Sequence, residues 1–284
     1  MYFDPRRMFY GWWLVGLTAL TFAVVISPIF LGLGTFFVAL EDEFGWSRAA
    51  LAGAFSLARA EDAVIGPLAG YLTDKLGTRR LVPIGFFILG LGFVLFSFVQ
   101  SLVWFYLAFF ILTIGAGLAS FLPLIGAINN WFVRKRSTAM GIAQTGVSLG
   151  GLLVPALAWA ISIGGWRATA LLLAGLMWLL ALPIGSMIRN RPEDSGQLPD
   201  GDPPLTQPGE VGTDHDYSFE PTNDMTSSQA IKTSAFWLIS LAHGFPALAF
   251  ITLSIHVIPM ITDRGYSLAF AALVVTTYTS VGGV

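Results

Sequence analysis

The sequence has 284 residues, of which 55% are hydrophobic and only 11% are charged. A soluble domain of this size places far more charged residues on its surface. The net charge is −2, so no excess of basic residues argues for nucleic-acid binding. The absence of cysteine excludes disulfides and thiolate metal sites. The composition therefore predicts an all-α polytopic membrane protein in a lipid bilayer.

Long uncharged runs predict the membrane-spanning helices. Crossing a hydrocarbon core of roughly 30 Å takes about 20 apolar residues in a helix. The run 81–133 carries no charge over its whole length, which is too long for one span. Gln100 and Ser101 therefore predict a hairpin tip that divides it into two. The other predicted spans are 8–40, 47–73, 137–166, 168–188 and 233–262, and 265–284 begins an eighth.

Basic residues fall mainly on one side of these spans. Eleven Lys and Arg residues lie in the segments on the side of the N-terminus, and the opposite side holds Arg48, Arg167 and Arg264. Because cytoplasmic loops carry an excess of basic residues, this distribution predicts a cytoplasmic N-terminus. We expect an integral protein of the bacterial inner (plasma) membrane.

The segment 189–232 differs from the rest of the chain. It holds nine of the seventeen acidic residues and six prolines. Low hydrophobicity with high charge predicts a flexible cytoplasmic linker. The linker divides the chain into a six-span N-terminal bundle, 1–188, and the start of a C-terminal bundle, 233–284. A weak repeat supports two related halves, since Gly45-Trp46-Ser47 and Gly265-Tyr266-Ser267 open corresponding spans.

A charged loop follows the second span and reads G-Y-L-T-D-K-L-G-T-R-R from 70 to 80. Gly70 permits close helix packing, Gly77 can turn the chain, and Arg79 and Arg80 can pair with Asp74 or a neighbouring helix end. Alternatively, residues 70–80 are an ordinary basic cytoplasmic loop without a special function. The pattern resembles the cytoplasmic signature of the major facilitator superfamily, apart from a Thr at one basic position. That resemblance implies a conformational latch made by Gly70, Asp74, Lys75, Gly77, Arg79 and Arg80.

A second motif, W-F-V-R-K-R-S-T-A-M-G-I-A-Q-T-G from 131 to 146, leads into span five. It resembles the monocarboxylate transporter signature, in a subfamily related to the oxalate/formate antiporters. The residues that carry the resemblance are Phe132, Arg134, Lys135, Arg136, Gly141 and Gly146. It implies alternating-access transport of a small organic anion such as a monocarboxylate, with symport of a proton as one option. The family often has a Lys in span one near the position of Phe30-Leu31-Gly32, and span one here has no basic residue.

Charges within span two are the leading site candidates. Arg59, Glu61 and Asp62 lie near the bilayer midplane, where one Arg or Asp costs about 2.5–3.5 kcal/mol to insert. Arg59 and Asp62 are three residues apart and can pair on one helix face. Glu61 needs another partner or stays protonated. Arg59 could attract a substrate carboxylate while an acidic neighbour exchanges a proton. The alternative is a buried ion pair that orders span two.

Weaker candidates for the substrate or proton pathway are Thr18, Thr21 and His243. Hydroxyls in helices commonly bond their own backbone, and a lone membrane His is more often structural than a proton carrier. No motif predicts an enzyme, a cofactor or a metal site. Rival functions are efflux of amphipathic compounds and a non-transporting sensor or scaffold. We also expect the sequence to stop within span eight, and a C-terminal half beyond it to be needed for function.

Overall fold

The computed structural model describes residues 9–202, 229 and 231–282, and these form helices without any strand. The chain divides into two compact units, Met1–Asp202 with Ser254–Val284, and Pro203–Leu253. A π-helical turn, Ser27–Leu31, separates the first two helices. In chain order the helices are α1 (Tyr10–Ile26), α2 (Leu33–Phe44), α3 (Arg48–Leu76), α4 (Thr78–Ser97), α5 (Leu102–Ala119), α6 (Phe121–Trp131), α7 (Arg136–Met187), α8 (Ser234–Thr262) and α9 (Leu268–Gly282).

The helices follow the predicted spans. The hairpin expected at Gln100 and Ser101 is confirmed, because α4 ends at Ser97 and α5 begins at Leu102. Gly165 interrupts α7 with φ 76° and ψ 163°, a conformation that glycine adopts readily. This break gives two halves, 136–164 and 166–187, and lies two residues before Arg167, the boundary predicted between spans five and six.

Four helical segments in the described part of the chain are long and apolar enough to cross a membrane. They are Tyr10–Phe44, which joins α1 and α2 through the π-helical turn; Thr78–Ser97; Leu102–Trp131, which joins α5 and α6; and Arg136–Met187. The second half of α7 turns large apolar side chains outward, with Leu172, Leu179 and Leu182 between 63% and 78% exposed. Such a surface suits lipid, which does not penalise exposed leucine as water does.

One end of the bundle is held by Glu43, and we call it the Glu43 end. Arg167 donates to the Glu43 carboxylate at 2.6 Å and to the carbonyl of Val99 at 3.3 Å. The indole N–H of Trp166 donates to the same carboxylate at 2.7 Å. The end of α2, the α4–α5 hairpin and the break in α7 therefore meet at one point.

The opposite end contains the start of α1, and we call it the Tyr10 end. The indole of Trp131 donates to the carbonyl of Arg189 at 3.0 Å, and the Arg189 guanidinium lies 4.6 Å from the ring centroid of Tyr10. The backbone N–H of Arg79 donates to the Asn190 side chain at 3.0 Å. The start of α1, the α3–α4 turn and the segment after α7 are thus joined.

Glycines set the close approach of α7 to α1. A Cβ built on Gly146 would lie 2.6 Å from the Cα of Ala19, and one on Gly150 would lie 3.4 Å from the Cα of Ala23. The four-residue spacing places both glycines on one face of α7. Small residues at such spacing let helix backbones pack closely within a membrane.

Replacing Gly146 with Ala is expected to destabilise the bundle, because the added methyl group meets the α1 backbone. Gly141→Ala is the matched control, since nothing lies within 4 Å of the Cβ position there. In that open helical position Ala is favoured over Gly by about 1 kcal/mol. Thermal unfolding of the purified chain in detergent should show a lower midpoint for Gly146→Ala and an unchanged or higher one for Gly141→Ala. Equal midpoints in the two variants would contradict the packing described.

Residues 189–202, the first part of the predicted linker, pack on the bundle. This part contains two 3-10 turns, Glu193–Ser195 and Pro199–Gly201. The side chain of Asp200 is fully buried and accepts hydrogen bonds from the backbone N–H groups of Val133, Arg134 and Lys135, at 3.1, 2.8 and 3.2 Å. These groups precede α7, which has no side-chain cap of its own. Residues 203–228 and 230 lie outside the described residues, so the flexible linker stays a prediction there.

Removing the Asp200 carboxylate should destabilise the chain by about 1–3 kcal/mol, because three backbone donors lose their acceptor. Asp200→Asn keeps one acceptor oxygen and tolerates the positive φ of 60° at this position, so it should cost less than Asp200→Ala. Asp202→Asn, which weakens the partly exposed ion pair with Arg134, should cost less than either Asp200 variant. The order of unfolding midpoints in detergent tests this account, and Asp202→Asn as the most damaging change would overturn it.

Candidate functional site

The candidate site lies at Arg59, in the middle of α3. Arg59 is 11 residues from Arg48 and 17 from Leu76, the two ends of the helix. At about 1.5 Å per residue these separations are roughly 16 and 26 Å. The exposed Arg59 guanidinium lies 5.1 Å from the ring centroid of Phe30, close enough for a cation–π interaction. The geometry therefore places a cation beside an aromatic ring at mid-span.

Phe30 belongs to the π-helical turn that separates α1 from α2. Pro28 has no backbone N–H, so an ordinary helix cannot continue through it unbroken. The N–H of Gly32 instead closes a wider turn on the carbonyl of Ser27 at 2.7 Å. Single π-helical turns within helices are frequent at functional sites. Sequence reasoning missed this turn, although Ser27-Pro28 in the middle of an uncharged run was the available signal.

Glu61 faces α5. It is 7% exposed, and its carboxylate accepts a hydrogen bond from the hydroxyl of Thr113 at 2.8 Å. The sequence predicted that Glu61 would need a partner other than Arg59, and Thr113 is one. The contact joins α3 to α5 in the interior of the bundle.

The other pathway candidates divide into two groups. The hydroxyls of Thr18 and Thr21 are fully buried and donate to the carbonyls of Leu14 and Leu17, at 2.8 and 2.9 Å. This is the backbone bonding that the sequence left open as an alternative. The side chains of Asp62 and His243 lie outside the described residues.

The predicted latch residues surround the α3–α4 turn. Gly77 follows the last residue of α3 and has a positive φ of 75°. Its backbone N–H donates a hydrogen bond to the carbonyl of Thr73 at 2.9 Å, which confirms the predicted turn. The close packing expected at Gly70 is wrong for the described part of the chain, where nothing lies within 4 Å of its Cβ position. Lys75 lies 5.8 Å from the ring of Tyr71. Among the residues described, Asp74 forms no ion pair with Arg79 or Arg80.

A cavity of about 630 Å³ opens beside this turn, between the start of α4 and the end of α7. Its lining includes Arg79, Arg80, Ser186 and Asn190. Arg59 is about 26 Å from this end of α3 along the helix. The cavity is therefore separate from the mid-span site.

The second motif stabilises the Tyr10 end. The buried ring of Phe132 lies 5.5 Å from that of Phe9 and 4.9 Å from that of Trp12, measured between centroids. Arg136 donates from its Nε to the carbonyl of Phe132 at 3.2 Å, so it caps the end of α6. Arg134 and Lys135 give their backbone N–H groups to Asp200.

The family of the chain follows from comparison with known sequences. Residues 8–284 match the model of the Major Facilitator Superfamily, which covers nearly the whole chain. The chain belongs to this superfamily. Together with the apolar helices, this membership makes the chain an integral membrane protein of the superfamily's helical fold.

Several curated relatives are named as monocarboxylate transporters. The chain is 32% identical to rat monocarboxylate transporter 13 over 182 residues, which are 63% of this chain and 42% of the relative. It is 29% identical to human monocarboxylate transporter 11 over 270 residues, or 93% of this chain and 53% of the relative. Human monocarboxylate transporter 14 is 27% identical over 195 residues, 66% and 38% of the two chains.

These relatives support the subfamily resemblance predicted from residues 131–146. The chain spans about half or less of the length of the relatives it matches. All three are animal proteins, so the comparisons give no support to the expected bacterial membrane.

Proposed function

We propose that the protein is a secondary active transporter of a small organic anion of the monocarboxylate class. The observation that carries the proposal is the Arg59 guanidinium beside the Phe30 ring in the middle of α3. The monocarboxylate transporter names of the relatives favour the same substrate class.

The position of the charge supports a functional role. An arginine at the bilayer midplane costs about 2.5–3.5 kcal/mol to insert, so it must face protein or a water-filled cavity. The monocarboxylate family often has a Lys near the position of Phe30. Arg59 brings a guanidinium to that position from the neighbouring span, which offsets the loss of the Lys.

The chemistry of the pair suits a monocarboxylate. A guanidinium binds a carboxylate through two parallel N–H···O hydrogen bonds. The face of Phe30 provides an apolar surface for a short carbon chain beside the charge. A substrate with one carboxylate and a small apolar body would therefore satisfy both neighbours.

Glu61 is our proposed proton carrier, and the remaining steps follow the superfamily resemblance. Glu61 lies two residues from Arg59 and is buried against Thr113. A carboxyl group beside the substrate site can bind and release a proton, so this group is suited to exchange a proton with each transport cycle. We place the Tyr10 end in the cytoplasm, because that side carries eleven of the basic residues. Alternating access around the mid-span site then moves the substrate across the membrane.

The test is uptake of labelled lactate or pyruvate into proteoliposomes that contain the protein expressed from its complete reading frame. Arg59→Gln should reduce uptake at least tenfold, which corresponds to a loss of about 1.4 kcal/mol or more of anion binding. Arg59→Lys should retain part of the activity, because it keeps the charge but loses the bidentate geometry.

Arg191→Gln is the matched control, since Arg191 is exposed beyond the end of α7. It should leave uptake unchanged at equal protein incorporation. Normal uptake by Arg59→Gln would remove Arg59 from the substrate path. No carboxylate uptake by the wild type, with export of an amphipathic cation instead, would favour efflux.

A further inference from the structure

We propose that Glu41, Arg48 and Asp263 form a reversible clamp that closes the Glu43 end of the transporter and must open once in each transport cycle. We call these three residues the Arg48 clamp. The inference rests on the proposed alternating-access function. It concerns how that cycle is gated, which the substrate site does not decide.

The clamp joins segments that are far apart in the sequence. Arg48 donates from Nε to the Glu41 carboxylate at 2.8 Å, and from both terminal nitrogens to the two oxygens of Asp263, 215 residues away. One guanidinium thus holds two carboxylates, and its contact with Asp263 is the bidentate fork that makes arginine pairs specific. The end of α2, the start of α3 and the end of α8 are tied together.

Each residue of the Arg48 clamp lies at or next to the end of a helix. Ser47 caps α3 by accepting the N–H of Ala50 at 3.2 Å, directly beside Arg48. Glu41 lies in the last turn of α2 and accepts the N–H of Gly45 at 2.8 Å through its carbonyl. Asp263 follows α8, with its N–H on the carbonyl of Pro259 at 3.0 Å. Movement of the end of α8 away from α2 and α3 therefore has to break the ion pair.

An apolar contact lies on the bundle side of the clamp. Leu31 and Val154 are buried together with Val257, Ile258 and Ala271, so the end of α8 and the start of α9 cover the π-helical turn and α7. Thr276 on α9 also donates to the carbonyl of Gly151 at 2.8 Å. If the substrate site is to open toward the Glu43 end, this contact has to separate.

The clamp is weak enough to open. The side chain of Arg48 is 32% exposed and that of Asp263 is 50% exposed, so water competes for both groups. Ion pairs in such surroundings contribute little, which suits a contact that must form and break. A fully buried pair would be far more costly to break.

The ion pair between Arg48 and Asp263 is charged over the physiological pH range. The hydrogen bonds from Arg48 hold the pKa of Asp263 below its ordinary value of 3.8. Because this pKa is depressed in the folded state, the stabilisation is present above pH 3.8 and is lost only as pH falls through the lowered value. The ion pair between Arg48 and Asp263 therefore adds no pH dependence between pH 5 and 8.

The absence of cysteine allows a direct test in the protein expressed from its complete reading frame. Val257→Cys places one thiol at a buried position of the apolar contact. A membrane-impermeant thiol reagent applied at the Glu43 end should react about twofold to tenfold faster when Asp263→Asn or Arg48→Gln is added, because the closed population falls. The exchanged variant Arg48→Asp/Asp263→Arg keeps one guanidinium between two carboxylates and should restore slow labelling.

Matched controls are available at the same end. Asp42→Asn and Arg264→Gln remove exposed charges that form no ion pair within the described ranges, and they should leave labelling unchanged. Equal labelling of Val257→Cys in all variants would overturn the clamp. Fast labelling that the exchanged variant fails to slow would also overturn it. The assay needs no substrate, so a failed uptake experiment would contradict the proposed function and leave this test valid.

Discussion

The structure depends on one constraint, the cost of placing charge where water is absent. The chain has fifteen basic and seventeen acidic residues among 284. In the described part of the chain, nearly all of the charged residues lie near the ends of helices, near the break in α7 or between helices. Arg59, Glu61 and Asp62 are the exceptions, since they lie in the interior of α3, far from both of its ends. Helices solve the same problem for the backbone, because each satisfies its own N–H and C=O groups. The helical fold and the prominence of Arg59 have this common cause.

The ends of the helices carry the polar contacts that fix their arrangement. At the Glu43 end, ion pairs of Glu43 with Arg167 and of Arg48 with Asp263 join loops from distant parts of the sequence. At the Tyr10 end, backbone groups do most of the joining, through Asn190 and Asp200. The ion pairs at the Glu43 end are partly exposed, whereas the Asp200 side chain is buried. This asymmetry agrees with a proposed cycle in which the loops of the first bundle stay fixed and the end of α8 moves.

The sequence predicted the helices well. The hydrocarbon core of the membrane disfavours charged residues, so each span except the second is a run without charge that ends at polar or turn residues. The hairpin was predicted from the polar residues Gln100 and Ser101, and the division of α7 at Gly165 lies two residues from Arg167, the charged residue between the two predicted spans. The π-helical turn at Ser27–Leu31 was missed, since the run around it is uniformly apolar and Pro28 alone does not specify the type of break. The neighbours of Glu61, Arg48 and Asp200 were beyond prediction, because each depends on contact between segments separated by 52 to 215 residues. Gly70 was predicted to pack closely because it is a glycine in a helix. In the described part of the chain nothing lies within 4 Å of its Cβ position, so this prediction was wrong.

The most direct test of the central claim is whether a monocarboxylate binds beside Arg59. In the cysteine-free background, Phe30→Cys should react with a water-soluble thiol reagent, and lactate should slow that reaction while lactamide, its uncharged amide, should not. Such charge-dependent protection is the result that this account predicts. A thiol at position 30 that no aqueous reagent reaches, or that both compounds protect equally, would contradict it.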